Sequence, residues 1–507
     1  MHESPVALTP RQRNIVLAVV AFTLMAVVSA VSGLNVALPS LARDTGASQR
    51  DLQWIVDAYT VVFAGLLLPA GAFGDRFGRK GALLAGVAIF GSAAGMAFFA
   101  HSPGTLIALR CLMGIGAAAV MPTTLSIITT SFPEEERGRA VGIWVGVVGG
   151  GAVIGLIGSG ILLEFFNWNS IFALNVALAL LGFAGTLAFV PKSVEANPPK
   201  LDFVGAIFSL VAVSSLVFAI IDGPDRGWSD PLIVGAFAIG VLAIISFILW
   251  ELHLAEPMLD PRLFKLRGFG TGSLSLTVQY FAAFGLFFTI LQYLQFVAGF
   301  SALKAALTLL PLPLIMIPLA RRAPLFAKKV GLNRLGSAGL VLMAIGFLVL
   351  SELQVTFVYW HFLIGLIFFA AGMALAGTPA TTAIVSSLPD TKQGVASAVN
   401  DASRELGSAI GIAVLGSVLN AQYRSGIAEA LTHLPSHVAD GARGSIAFLQ
   451  SGVISQLGST GVHLVDVAKR SFVDGLSTAF IVTAGALLVA AVYVVMRAPR
   501  REFTEPA

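Results

Sequence analysis

Charge is what this chain has least of. Asp, Glu, Lys and Arg make up 11% of its 507 residues, apolar residues make up 56%, and mean hydropathy is +0.87. A soluble domain carries about 25% charged residues. A chain this long with so little charge cannot cover its surface with polar groups, so that surface is expected to face hydrocarbon. Cysteine is nearly absent too: Cys111 stands alone, which excludes an internal disulfide and a cysteine-based metal centre. The histidines (His2, His101, His253, His361, His433, His437 and His463) are scattered over tails, loops and helix ends without ligand spacing. No GxxxxGK[ST] phosphate loop occurs, and the nearest approach, "GRKGA", has the wrong spacing, so ATP is not an expected partner. "GVVGGGAVIG" (146–155) has no strand before it and sits in an apolar run, where Gly151, Gly155, Gly158 and Gly160 serve close helix packing better than a dinucleotide. The balance of +4 asks for no nucleic-acid partner, and nothing here points to an enzyme or a cofactor.

Long apolar runs are what the chain has instead. With about 20 residues per crossing, fourteen helices are expected, at 15–38, 52–73, 82–100, 104–128, 140–163, 170–190, 203–221, 231–250, 269–297, 303–320, 335–351, 359–386, 394–420 and 475–496. The first is expected to stay, because Arg11 and Arg13 precede a run too long for a signal core and no small-residue cleavage site ends it. An even number places both termini on one side. With that side cytoplasmic, inner loops and tails hold 21 of the 31 basic residues and outer loops eight, four of these in the long segment 421–474. The expectation is therefore an all-α integral protein of the cell membrane with cytoplasmic termini. Within 421–474, "IAFLQSGVISQL" (446–457) reads as an amphipathic helix lying on the membrane.

Two charged connectors, at 191–200 and 251–268, divide the chain into six helices (1–190), two additional central helices with their linkers (191–268) and six helices (269–507). Transporters built from six-helix halves bind substrate between the halves near the midplane and expose it alternately to either side.

Six charges fall inside the expected spans: Lys304 stands at the very end of one, and five lie deeper. Asp57 and Arg110 both lie roughly 8–9 Å below the outer face, a shared depth that makes them candidates for a pair in which Arg110 supplies the counter-charge. In "AVNDASRELG" (398–407), Asp401 and Glu405 share a helix face at roughly 10–17 Å from the cytoplasmic side, and Arg404 stands within reach of Asp401. Ionisable groups at such depths mark proton or substrate sites. The alternatives are a static Asp57–Arg110 packing pair, and an Asp401–Arg404 pair with Glu405 bound to another helix. The rings of the ninth helix (Tyr280, Phe281, Phe284, Phe287, Phe288, Tyr293, Phe296) read as lipid-facing or packed, in a chain with 36 Phe.

"GAFGDRFGRK" (71–80) resembles the cytoplasmic loop signature of the major facilitator superfamily, and "LRCLMGIGAA" (109–118) resembles its fourth-helix motif with Arg110 in the arginine position. Together with "LNVALPSLARD" (34–44), "LQWIVDAYTVV" (52–62), "LDFVGAIFSLV" (201–211) and "SAVNDASRELGSAIGIAVLGSVL" (397–419), they make the chain similar to the fourteen-helix drug:proton antiporter family over nearly its whole length. The resemblance implies a proton-driven exporter of amphiphilic, cationic or neutral organic molecules. It further implies roles in proton coupling or substrate binding for Asp57, Arg110, Asp401, Arg404 and Glu405, and a gating loop of Gly74, Asp75, Arg76, Gly78, Arg79 and Lys80. Read by itself, that loop has glycines for a tight reversal, an acid suited to a helix N-terminus and bases suited to helix C-termini or lipid phosphates. Five positions depart from the family pattern: Ala30 replaces the first-helix acid and Ser32 its threonine, Leu156 the fifth-helix proline and Ser159 the first glycine of the pair that follows it, and Met113 a polar residue of the fourth. Other readings of the same cavity chemistry are an exporter of an endogenous metabolite or lipid and, from a different class, a non-transporting scaffold or receptor.

Overall fold

The computed structural model describes residues 9–194, 202–255, 257–388, 393–432, 434–450 and 457–499, and among these every regular element is helical. The helices are α1 (Pro10–Thr45), α2 (Gln49–Phe77), α3 (Arg79–Phe98), α4 (Pro103–Ser131), α5 (Glu134–Phe165), α6 (Ser170–Phe189), α7 (Phe203–Arg226), α8 (Pro231–His253), α9 (Arg267–Gln292), α10 (Ala302–Thr308), α11 (Pro311–Val330), α12 (Leu332–Ser351), α13 (Tyr359–Val385), α14 (Gln393–Ile427), α15 (Ser436–Gly444) and α16 (Gly458–Arg497). Local chemistry sets several boundaries. Thr9 and Ser48 close capping boxes with Gln12 and Asp51 at the starts of α1 and α2. Gly46, at φ 70°, ends α1 in a backbone conformation that side chains rarely adopt.

Among the described residues, twelve helices are long and apolar enough to cross a membrane, α10 and α11 counting as one, and α2 makes thirteen when the arms either side of its 55° bend at Pro69 are taken together. The expected span 140–163 enters only as the shorter apolar stretch Gly151–Phe165, so the number fourteen is not confirmed. The bundle is nonetheless membrane-embedded: α8, for example, turns Leu242, Ile245 and Leu249 outward, as lipid contact requires.

Packing follows two groups. In the first, α1 lies beside α5 and α6, α2 beside α4, and α3 beside α4 and α6. In the second, α9 lies beside α13 and α14, and α12 beside α13 and α16. The helix starts of α1 and α5 meet through the Arg13–Glu136 ion pair (3.2 Å), and Asn333 at the start of α12 donates to the Val495 carbonyl at the end of α16 (3.3 Å). This end of the bundle, carrying both chain termini, is the terminal face, and the opposite end is the distal face. The groups meet at the distal face: Gln53 of α2 donates to Ala413 O (3.1 Å) and Ser417 Oγ (3.3 Å) of α14, Gln295 donates to Val36 O of α1 (2.9 Å), Gly160 of α5 packs on Leu303 of α10, and Arg43 of α1 donates to Gln450 (3.2 Å).

The segment after α14 is not a loose outer loop. α16 runs back to Gly458 and at 40 residues is about 60 Å long, twice the hydrocarbon thickness of about 30 Å. The expected membrane-surface helix at 446–457 is instead a short 3-10 helix, Ile446–Gln450, with Ile446, Ala447 and Leu449 buried against the bundle; residues 451–456 lie outside the described residues. Its apolar residues found a protein surface to cover rather than a lipid one.

Candidate functional site

The charges of α14 are placed by small residues. Gly411 brings the helix so close to α9 that a Cβ there would lie 2.8 Å from Phe281 Cα, and Gly407 makes the same approach one turn earlier. Arg404 is thereby set over the ring of Tyr280, with 5.2 Å from the guanidinium carbon to the centroid. Asp401 is buried: it accepts a bond from Asn400 Nδ2 (3.4 Å), while Asn400 Oδ1 accepts from Thr381 of α13 (3.1 Å). Among the described residues no ion pair joins Asp401 to Arg404, so the expected internal neutralisation is not seen, and Arg404 Nε is buried without a partner. Glu405 is half-buried and lies within electrostatic range of Tyr59, a residue of α2.

A second expected pair is also not formed. Arg110 is fully buried; its Nε donates to the Ile55 carbonyl (3.0 Å) and its guanidinium carbon lies over the ring of Tyr59, 4.2 Å from the centroid. Asp57 is fully buried with neither carboxylate oxygen hydrogen-bonded, and two of the Arg110 nitrogens are likewise unpartnered. Equal depth was not enough, because Tyr59 and Asp57 stand two residues apart and hence about 200° apart around α2. Gly114 presses α4 onto the Tyr59 side, where an added Cβ would lie 2.6 Å from Tyr59 O, and Arg110 follows. Asp57 shares its face with Gln53, one turn away, which is bonded to α14. The unpaired acid therefore belongs to the α2 face that carries the contact between the two helix groups.

The loop signature builds a rigid corner. Gly78 adopts φ 114°, Arg79 Nε donates to Asp75 Oδ1 (2.7 Å), and the Arg79 amide donates to Ser193 O (3.0 Å). Lys80 Nζ caps the Leu187 carbonyl in the last turn of α6 (2.9 Å), a helix C-terminus as its charge demands, and Arg76 stacks on Phe77. Asp75 thus faces the neighbouring arginine, and Gly74 fits against Thr123 of α4. In α5, Gly155 lies against Ser29 and Ser32 of α1, Gly151 against Val28, Gly158 against Leu174 of α6, and Gly160 against α10. The packing expected of these four positions is what they do, and Ala30 is buried beside them without polar substitute.

One cluster was not anticipated. At the distal end of α7, fully buried Asp222 accepts from Arg50 Nε (2.8 Å) and Trp54 Nε1 (3.1 Å) of α2 and from Arg226 (3.2 Å). Asp225 accepts from Asn420 (3.2 Å) and pairs with Arg424, both of α14. Three charges in "IIDGPDRGW" (220–228), at helical spacing, were the available signal.

Comparison with known proteins agrees with this architecture. The family model described as Major Facilitator Superfamily matches residues 18–412. The chain is 32% identical over 487 residues to the multidrug efflux pump LfrA of Mycolicibacterium smegmatis, covering 96% of each chain. It is 33% identical to the methyl viologen resistance protein SmvA of Salmonella typhimurium, covering 90% of this chain and 93% of that one. Among solved structures, a bacterial homologue of the human lysosomal transporter Spinster superposes with a TM-score of 0.70 at 18% identity, over 99% of this chain and 100% of the other. Family match, relatives and bundle converge: this chain belongs to the major facilitator superfamily and is a multi-pass membrane transporter rather than an enzyme.

Proposed function

We propose that the protein is a proton-coupled exporter of amphiphilic, cationic or neutral drug-like molecules from the cytoplasm, needing no cofactor beyond the proton gradient. Both termini are taken as cytoplasmic, so the distal face is the outer one and the structure is closed toward the outside. Residues 1–190 and 269–507 act as halves that rock about a substrate between them. The naming of the relatives as efflux and resistance proteins supports the substrate class.

The observation that carries the coupling is Asp57, a buried carboxyl without a hydrogen bond on the α2 face toward α14. A carboxyl so placed costs several kcal/mol when charged, and it exchanges its proton only when water or a cation reaches it. Asp401 and Glu405 on α14 serve the same exchange from the opposite side, Arg404 and Arg110 fix the field around them, and the Asp75 loop stiffens the inner gate through the Asp75–Arg79 pair and the Lys80 cap on α6.

The test is accumulation of a quaternary-ammonium dye in inside-out vesicles under an imposed proton gradient. Native protein accumulates dye. Asp57→Asn, Asp401→Asn or Glu405→Gln abolishes gradient-driven accumulation while leaving dye exchange at equilibrium. If native protein moves no dye, drug export is rejected; if all three variants accumulate dye as native protein does, these carboxyls do not couple protons.

A further inference from the structure

We propose that α7 is the clasp of the distal gate: it stays with α2 through Asp222 and releases α14 at the Asp225–Arg424 joint when the gate opens. The inference rests on the rocking of the two halves put forward above. It concerns a helix that the six-plus-six scheme leaves without a task.

Three features place the clasp. First, α7 touches both helix groups, lying beside α2 and beside α14. Second, its polar contacts gather in one distal turn. Asp222 holds Arg50 and Trp54 of α2; Asp225 holds Asn420 and Arg424 of α14; the Ile220 carbonyl accepts from Ser417 of α14 (2.7 Å). Third, the same stretch of α14 is where Gln53 bridges directly from α2, so clasp and direct contact close one seam.

The two joints are unequal, and the inequality says which one moves. Asp222 is 0% exposed and receives bonds from three side chains, two on α2 and one on its own helix. Pulling it away from α2 would cost its bonds from Arg50 and Trp54 and leave a buried carboxylate with Arg226 as its one remaining partner among those three. Asp225 and Arg424 are 23% and 28% exposed, so water solvates both charges as they part. Separation of α14 from α2 must break one joint, and the wet one breaks at lower cost. α7 therefore travels with the first group.

The experiment uses full-length protein with Cys111→Ser, spin labels at His101→Cys and Gln354→Cys, and distances by double electron–electron resonance. Both positions are exposed distal turns, one in each helix group. The parent should give one short distance population. Asp225→Asn and Arg424→Gln should each add a longer one, the open-to-closed ratio rising at least about tenfold. The swap D225R/R424D should restore the parent distribution, and Asp230→Asn, which removes a distal negative charge outside the joint while keeping an acceptor for the Leu232 amide, should leave it unchanged. Unchanged distances in both single variants would overturn the proposal. So would a swap that stays open, since that outcome assigns the effect to general loosening rather than to the joint. The readout needs neither substrate nor gradient, so its failure is separable from a failure of dye transport.

Discussion

Arg110 and Arg404 solve one problem in one way. Each is an arginine inside a membrane bundle that rests on a tyrosine ring rather than on an acid, Arg110 on Tyr59 and Arg404 on Tyr280. A ring face attracts the cation by about 0.5–2 kcal/mol without neutralising it. Among the described residues, neither arginine forms an ion pair with the acids nearby, which the proposed mechanism requires to be open to protons or substrate. Tyr280→Ala should lower dye transport about 2- to 30-fold in vesicles, whereas Tyr280→Phe, which keeps the ring, should stay within about twofold. Arg110→Lys should cost transport and stability together, because a lysine cannot both lie over Tyr59 and donate sideways to Ile55 O. We expect a loss of about 1–3 kcal/mol in thermal unfolding, with expression of Arg110→Ala poorer still.

At the scale of helices, glycines decide which charges meet which rings. Gly411→Val would push α14 off α9, where the space is already 2.8 Å from backbone, and should destabilise by about 1–3 kcal/mol. Gly81→Ala, on α3 with nothing within 4 Å, should be neutral or stabilising by up to about 1 kcal/mol; thermal unfolding in detergent compares the two. The same contrast explains what could be read from the sequence. Scarce charge against an apolar background made Asp57, Arg110, Asp401, Arg404 and Glu405 conspicuous, and counting along each helix gave their depths. Rotation about one helix relative to another is written in no single stretch, so the Asp57–Arg110 pair, a candidate on depth, and the Asp401–Arg404 pair, an alternative on spacing, are not formed as ion pairs among the described residues. Tyr280 was passed over because one ring among many carries no signal until an arginine is placed on it. Asp222 and Asp225 were passed over because hydropathy ends α7 at residue 221, while the backbone continues helical through Pro224 to Arg226.

For the molecule as a whole, the distal face is closed and orientation is the question. A cytoplasmic N-terminus predicts that Gln354→Cys, in the exposed distal turn before α13, reacts with a membrane-impermeant maleimide in intact cells, and that Lys328→Cys, at the exposed terminal end of α11, reacts only after permeabilisation. Cys111 is half-buried and is replaced by serine in both. The reverse labelling pattern would invert the transport direction proposed here.

The charge inventory at the α2–α14 seam has a further consequence. Both acids there come from α7, and the helix groups on either side contribute arginines, Arg50 and Arg424. Removing α7 would take away the carboxylates that now hold Arg50 and Arg424, leaving Arg50 with Asp51 in electrostatic range and Arg424 without the acid it pairs with. The helix and those two arginines are therefore coupled: the damage done by deleting the helix should be eased by replacing Arg50 and Arg424 with neutral residues.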